Sequence, residues 1–434
     1  MKRFNPIREC CRWLAAIFRI QDKMIFECII VGILSGFVVV TFRSLSMLLE
    51  AFRINFLENS ATLQSYPIYI LFLVLSYILI WKLILIEPLV RSSGILQVQA
   101  YMIDKLHMNW LSVLIGKFLG ALVSIGVGIS LGQEGPSIQL GAAMGHGVGQ
   151  WFGSSKNDTK YLVSSGISAG MAAAFGAPLA GVMFCLEETH KNIDSRILIS
   201  CLVAAVSADI VSKKLFGMSP ALCILEIETL PLSYYFCVVI LGIGMALLGT
   251  GFNKVLLISL DYFNINEFVW KKYRRAMPFF IAGILSLWIP QALGSGHQIL
   301  HGLGDMHYSI YSLVLLFIVK FLFTILCCAS GVPGGVLLPI LALGGVLGAI
   351  FAWIFGLLFN LPTLYMINIV VYAMLAYFTA IVRSPLTGII LISELIGSFQ
   401  HFLPLAMVAA ISYLVADLME CEPLYESLMN RSYN

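Results

Sequence analysis

The sequence predicts an all-α polytopic membrane protein made of two related halves, with several of its helices broken by Gly or Pro. Three observations carry this prediction. Of the 434 residues, 59% are apolar and only 11% are charged, against roughly a quarter charged in an ordinary soluble domain. So few charges cannot cover a water-soluble fold of this size, and most of its surface must face lipid. The apolar residues come in continuous runs rather than alternating, which excludes the pattern of a transmembrane β-barrel. The chain also repeats its own motifs at a nearly constant offset. A soluble enzyme, a nucleic-acid binder and a disordered chain are excluded, and the formal net charge of +3 is too small to imply a polyanionic partner.

The elements follow in order. Residues 1–24 place Lys2, Arg3, Arg8, Arg12 and Arg19 around a short apolar stretch. That stretch is too short for a signal-peptide core, and Asp22 and Lys23 stand where a cleavage site needs small residues. A basic amphipathic helix on the cytoplasmic face is expected instead. The first membrane repeat is expected over 25–217 and the second over 218–434, with a seam near 217–230. Charge-free runs at 59–81 and 161–186 are each long enough to span. Over 118–155 the only formal charge is Glu134, and over 321–382 there is none. The latter run has room for two or three spans at ~20 residues each. Other apolar stretches lie near 25–50, 196–212, 231–259, 276–292, 309–319 and 402–416. Several are broken by Gly or Pro, and irregular backbone at membrane depth survives only buried in protein or lining a cavity.

The repeat is visible in the residues themselves. Leu140 to Gly145 reads like Leu343 to Gly348, and Ala177-Pro178-Leu179-Ala180-Gly181 reads like Ser384-Pro385-Leu386-Thr387-Gly388. Six residues after its last glycine, each of the latter segments reaches an acid, Glu187 or Glu394. Paired Gly/Pro-broken segments in matching halves point to a transporter-type site at the repeat interface.

Gly132-Gln133-Glu134-Gly135-Pro136-Ser137 is the most informative segment. Its proline opens a helix at the first turn, and the amides of such a start form an anion site reinforced by the helix dipole. A carboxylate there is a tethered anion that competes with a mobile one. An acid at a helix start can be purely structural. In the middle of an apolar run, however, it costs ~2.5–3.5 kcal/mol on insertion scales and marks an ion or proton path. Gly331-Val332-Pro333-Gly334-Gly335-Val336-Leu337-Leu338-Pro339 is the matching feature of the second half. It carries no side-chain charge, so an anion held there is held by N–H groups. Ser92-Ser93-Gly94-Ile95 is a third helix-opening segment, with hydroxyls beside a flexible glycine.

Together these segments resemble the CLC family of chloride channels and proton-coupled chloride transporters, from about residue 25 to the end. Ser93-Gly94-Ile95 looks like the family's GSGIP, Gly132 to Pro136 like its GREGP, and Gly334 to Pro339 like its GxFxP. The run from Ala177 to Glu188 looks like its helix ending in an internal acid, and Pro423-Leu424-Tyr425 like its C-terminal tyrosine segment. The resemblance implies that Glu134 is the gating glutamate and Glu188 the internal proton-transfer acid. It implies that Ser93, Tyr425 and the amides of Val336 and Leu337 hold the central anion, with the amides from Gln133 to Gly135 framing an outer site. It also implies two inverted-topology repeats with many broken and tilted helices, up to eighteen in all, a homodimer with one pore per subunit, and both termini in the cytoplasm of a bacterial inner (plasma) membrane. The cytoplasmic nucleotide-binding CBS pair of many relatives is expected to be missing after Tyr425.

The resulting expectation is a chloride/proton antiporter rather than an enzyme, with chloride and protons as its partners, lipid around it and no cofactor beyond the transported chloride. A passive voltage- or pH-gated chloride channel is the main alternative, and fluoride/proton exchange a more distant one. Gln133 replaces the family's Arg, Leu96 its Pro and Leu337 its Phe, while Gln97 and Gln99 stand where exchangers often carry Glu. Glu187 is expected to be structural, because Glu394 matches it in the other half, which leaves Glu188 for the proton path. His297, His301, Asp305 and His307 have metal-like spacing but lie in a Gly-rich connection, and no metal site is expected. Lys271, Lys272, Arg274 and Arg275 read as a cytoplasmic loop, and His146 as a packed histidine. The ten cysteines are scattered without a CxxC pair and read as small packing residues.

Overall fold

The computed structural model describes residues 6–59, 66–192, 194–218, 227–265, 273–304 and 308–433, with backbone alone at 6–22, 58–59, 264–265, 304 and 433. Among the described residues there are seventeen α-helices and no strand. In the first half they are α1 (Pro6–Asn59), α2 (Tyr66–Ile86), α3 (Ile95–Met102), α4 (Trp110–Gly126), α5 (Glu134–Trp151), α6 (Lys156–Phe175), α7 (Pro178–Phe184) and α8 (Ser195–Phe216). The second half holds α9 (Tyr235–Ile265), α10 (Met277–Trp288), α11 (His297–Gly304), α12 (Ile310–Ser330), α13 (Leu337–Phe359), α14 (Met366–Val382), α15 (Pro385–Ile396) and α16 (Phe402–Leu418), followed by α17 (Leu424–Tyr433). An eight-residue helix stands third in both α1–α4 and α9–α12, and the broken pairs α5–α8 are answered by α13–α16. Seven segments are long and apolar enough to cross a membrane, the longest Lys23–Leu57 and Leu232–Phe263.

Apolar composition makes these helices, while Pro and Gly decide where they stop. The run 161–186, expected as one span, is two helices. α6 ends at Gly176 in the left-handed conformation, and α7 restarts with Pro178 in its first turn. Proline lacks the N–H that would continue the ladder, and its ring clashes with the preceding turn. α14 breaks in the same place, at Arg383, before Pro385 opens α15. The run 59–81 is also displaced. α2 starts at Tyr66 and continues through Lys82, whose exposed side chain reaches past the apolar surface.

A hydrophobic effect cannot drive helix association in lipid, so close packing does. α5 lies along α6 backbone to backbone. A Cβ on Gly141 would collide with the carbonyl of Gly166, and one on Gly145 with the carbonyl of Leu162. The matching contact of α13 with α14 brings Gly344 against Met374 and Gly348 against Val370. The apolar stripes of α2, α8 and α9 stay exposed, including Leu71, Leu75, Ile199, Ile210 and Leu247, as lipid-facing surfaces must be.

One expectation is corrected. Arg275 is buried, within electrostatic reach of Arg91 and Arg274, rather than part of a solvated loop. α10 begins two residues later and packs on α2, which carries Arg275 beneath the turn after α2. Lys271 and Lys272 lie outside the described residues, as does most of the expected seam, and no side chain of the expected N-terminal amphipathic helix before Lys23 is described.

The packing predicts opposite outcomes for two helical glycines. Gly141→Ala should lower unfolding stability by about 1–3 kcal/mol through overpacking. Gly251→Ala, with open space around its Cβ position, should gain up to ~1 kcal/mol from helix propensity. Thermal unfolding in detergent compares them, and equal shifts would contradict the packing argument.

Candidate functional site

The site begins with two loops, 127–133 after α4 and 331–336 after α12, which meet at the centre of the molecule. Gly132 N–H donates to Gly335 O at 2.6 Å and Gly335 N–H returns a bond to Gly132 O at 2.7 Å, an antiparallel pair. Position 335 admits only glycine, because a Cβ there would stand 2.7 Å from the Gly135 amide and 3.0 Å from Glu134 Oε2. Equivalent loops meeting antiparallel is the local mark of halves that run in opposite directions. The turn before α3 joins the same centre. Ser92 N–H donates to Gly331 O at 3.4 Å, and Gly334 N–H donates to Ser92 O at 3.0 Å. Gly94 takes a left-handed conformation (φ 91°), and a side chain there would strike Gln139.

Two buried lysines tie these turns down. Lys117 donates to Val90 O at 3.2 Å and Ser92 O at 2.6 Å, and Lys320 donates to Ala292 O at 3.0 Å and Gly294 O at 2.5 Å. Both side chains are fully buried. Sequence reasoning passed over them, although the signal was present. Each is a lone cation inside an apolar helix, and their positions differ by the same offset that separates the glycine-rich motifs.

Three helix starts converge on this centre, those of α3, α5 and α13. Their first-turn amides have no acceptor within the helix. Glu134 opens α5 and is fully buried. The amides of Glu134, Leu338 and Gln133 act on its carboxylate, yet neither oxygen has a partner at hydrogen-bond distance and angle. The Ser93 hydroxyl accepts from Ile95 N–H at 3.3 Å, which leaves its own O–H free to donate. Ser93 lies next to the α5 start, since a Cβ on Gly135 would stand 2.9 Å from Ser93 Cβ. Tyr425, on α17, is fully buried, and its hydroxyl has no hydrogen-bond partner among the described residues. Both Glu188 and Glu134 are near enough to act electrostatically on that hydroxyl. The structure thus brings together Ser93, Glu134, Gly135, Leu337 and Tyr425, with Val336 capping α13.

The neighbouring acids part company. Glu187 and Glu188 sit on a widened, π-helical turn, Cys185–His190, that continues α7. Glu187 accepts from Leu386 N–H at 3.2 Å and Thr387 N–H at 2.7 Å, capping the start of α15. Glu394 returns the contact, accepting from Leu179 N–H at 3.1 Å and Ala180 N–H at 2.8 Å at the start of α7. Each half therefore caps a helix of the other. Glu188 makes a different set of bonds. Ser384 Oγ donates to its Oε2 at 2.8 Å, and Gln99 Nε2 donates to its Oε1 at 3.4 Å. Ser384 is a second residue that sequence reasoning did not single out.

Gln133 is half-buried and lines a narrow cavity with Arg43, Glu50, Ser295 and His297. His146 packs against the Tyr101 ring at 5.1 Å and is not part of this centre. Gln97 donates weakly to Arg91 O at 3.4 Å.

The chain is similar to known proteins in both sequence and fold. The sequence profile of the family described as voltage gated chloride channel matches residues 72–417. The chain is 32% identical over 418 residues to the H(+)/Cl(−) exchange transporter ClcA of Vibrio parahaemolyticus, covering 93% of this chain and 88% of that one. It is 30% identical over 431 residues to the protein of the same name from Vibrio cholerae, covering 96% and 92%. The crystal structure of a slow cyanobacterial Cl−/H+ antiporter superposes with a TM-score of 0.89 at 29% identity, over 94% of this chain and 98% of that one.

The reciprocal caps predict a stability effect. Glu187→Ala and Glu394→Ala should each cost about 1–2 kcal/mol, the worth of a charged cap. Glu188→Gln should cost less, because the amide oxygen still accepts from Ser384. Thermal midpoints in detergent measure all three, and an unchanged midpoint in Glu187→Ala would show that its cap contributes nothing.

Proposed function

The chain belongs to the voltage-gated chloride channel family, and we propose that it exchanges chloride for protons across a bacterial plasma membrane as a homodimer with one path per subunit. The observation that carries this reading is Glu134, a fully buried carboxylate placed where two helix starts meet. Its charge and a mobile chloride need the same N–H groups.

The chemistry follows from that competition. Chloride leaving water loses its hydration shell and gains helix-start amides and the hydroxyls of Ser93 and Tyr425. These donors are neutral, so binding is firm enough for entry and weak enough for exit. Ionised, Glu134 occupies the amides itself. A proton arriving on a carboxylate oxygen removes that charge, and the amides pass to chloride. Loss of the proton restores the block. Two forces set the balance, scarce solvent favouring the neutral acid and facing amides favouring the ionised one.

Glu188 supplies the proton from the other side. It is buried and bonded to Ser384 and Gln99, and both it and Glu134 are within electrostatic reach of Tyr425. Lys105, Lys156, Lys160, Lys191 and Arg196 lie on the Glu188 side, which we place in the cytoplasm together with both termini. Ser93 supports chloride as the anion, since fluoride exporters of this family usually carry Asn there.

Two variants in liposomes test the assignment, with chloride and pH electrodes read separately. Glu134→Gln mimics the permanently protonated gate and should keep chloride flux while losing its dependence on external pH. If that variant still moved protons uphill on a chloride gradient, Glu134 would not be the gate. Glu188→Gln should pass chloride with proton movement reduced at least tenfold. Intact coupling there would place proton entry elsewhere, and a parent protein whose reversal potential ignores a pH gradient would be a channel.

A further inference from the structure

Outside the anion centre, α11 carries two histidines one helical turn apart. His297 Nε2 and His301 Nε2 face each other at 3.1 Å, with ring centroids 4.5 Å apart and planes at 81°. Residues at this spacing share one helix face. Imidazole nitrogens bind first-row dications at ~2.0–2.1 Å, and adjacent positions of tetrahedral or octahedral geometry then set two nitrogens roughly 2.9–3.4 Å apart. The observed separation falls inside that window. We propose that His297 and His301 form a two-point chelate for a transition-metal dication, Ni2+, Cu2+ or Zn2+, with its other positions open to water.

The surroundings suit an accessible, regulatory site. Both histidines line a wide cavity with Arg43, Lys213, Glu394 and Phe399, and His301 is exposed. His297 and Arg43 also line the narrow cavity that reaches Gln133. Of the facing charges, Glu394 is occupied capping α7 and Lys213 pairs with Asp209, which leaves Arg43 as the opposing cation. Asp305 and His307 lie outside the described residues and play no part in the argument. A bound ion at this place stands in the mouth of the anion path and slows flux, a consequence that rests on the function proposed above.

The test uses the full chain without a polyhistidine tag. Calorimetry with Ni2+ and paramagnetic resonance with Cu2+ should detect one ion per subunit, with nitrogen coupling from two imidazoles. His301→Ala, an exposed change, should weaken Ni2+ binding at least tenfold, and His297→Ala should do the same. Binding in His301→Ala equal to that of the parent, or none in the parent at micromolar metal, would reduce the pair to an ordinary N–H···N contact and overturn the proposal. In liposomes, outside Ni2+ should slow chloride flux in the parent and not in His301→Ala. Binding with undiminished flux would overturn the placement in the anion path. The binding measurements decide the metal site even if proton coupling proves absent.

Discussion

Everything at the centre of this protein depends on the two hydrogen bonds between Gly132 and Gly335. Helix starts are useful to an anion because their amides are unspent, but the loops leading to them carry peptide groups that must find partners without water. A buried, unpaired peptide group costs about 1–3 kcal/mol, and two glycine-rich loops at membrane depth would carry many. Pairing one loop with the other satisfies both and leaves the amides of the following turn aimed at a common point. The lysine bonds from Lys117 and Lys320, the Ser124 hydroxyl on Pro333 O and the Ser92 backbone bonds extend the same solution to neighbouring turns. The donors of each lysine are thus spent on carbonyls.

The two halves also hold each other by exchange. Glu187 caps a helix of the second half and Glu394 a helix of the first. The widened turn that carries Glu187 also carries Glu188, and both acids reach the same short stretch, Ser384 to Thr387. One fastens the repeat interface. The other holds a carboxylate beside that interface, within electrostatic reach of Tyr425. A wide helical turn of this kind recurs at functional sites, and here it gives two consecutive acids different partners, the start of α15 for Glu187 and the Ser384 hydroxyl for Glu188.

Much of this was legible in the residues. The lone acid between glycines, the matching Gly/Pro segments and the pairing of Glu187 with Glu394 all stand out against an apolar background, because a charge or a broken helix in lipid must be compensated and therefore carries information. The buried lysines were legible too, being isolated cations at the repeat offset. Ser384 was not, since serines before prolines are common and nothing in the sequence says which carboxylate a hydroxyl meets 196 residues away. Arg275 misled because a basic run ahead of an apolar helix ordinarily faces water, and only the packing of α10 on α2 draws its last member inward.

The sequence by itself determined that the chain lives in lipid, that it is two related halves and that its chemistry lies where helices break. These follow from composition, periodicity and the cost of charge at membrane depth, which are properties of single residues and their near neighbours. Tertiary structure decided which breaks meet, that the loops cross antiparallel, which helix each acid caps and that two histidines face each other on the wall of a cavity. Those are relations between residues far apart in the chain, and the physical reason they escape the sequence is that each depends on the partner that burial provides.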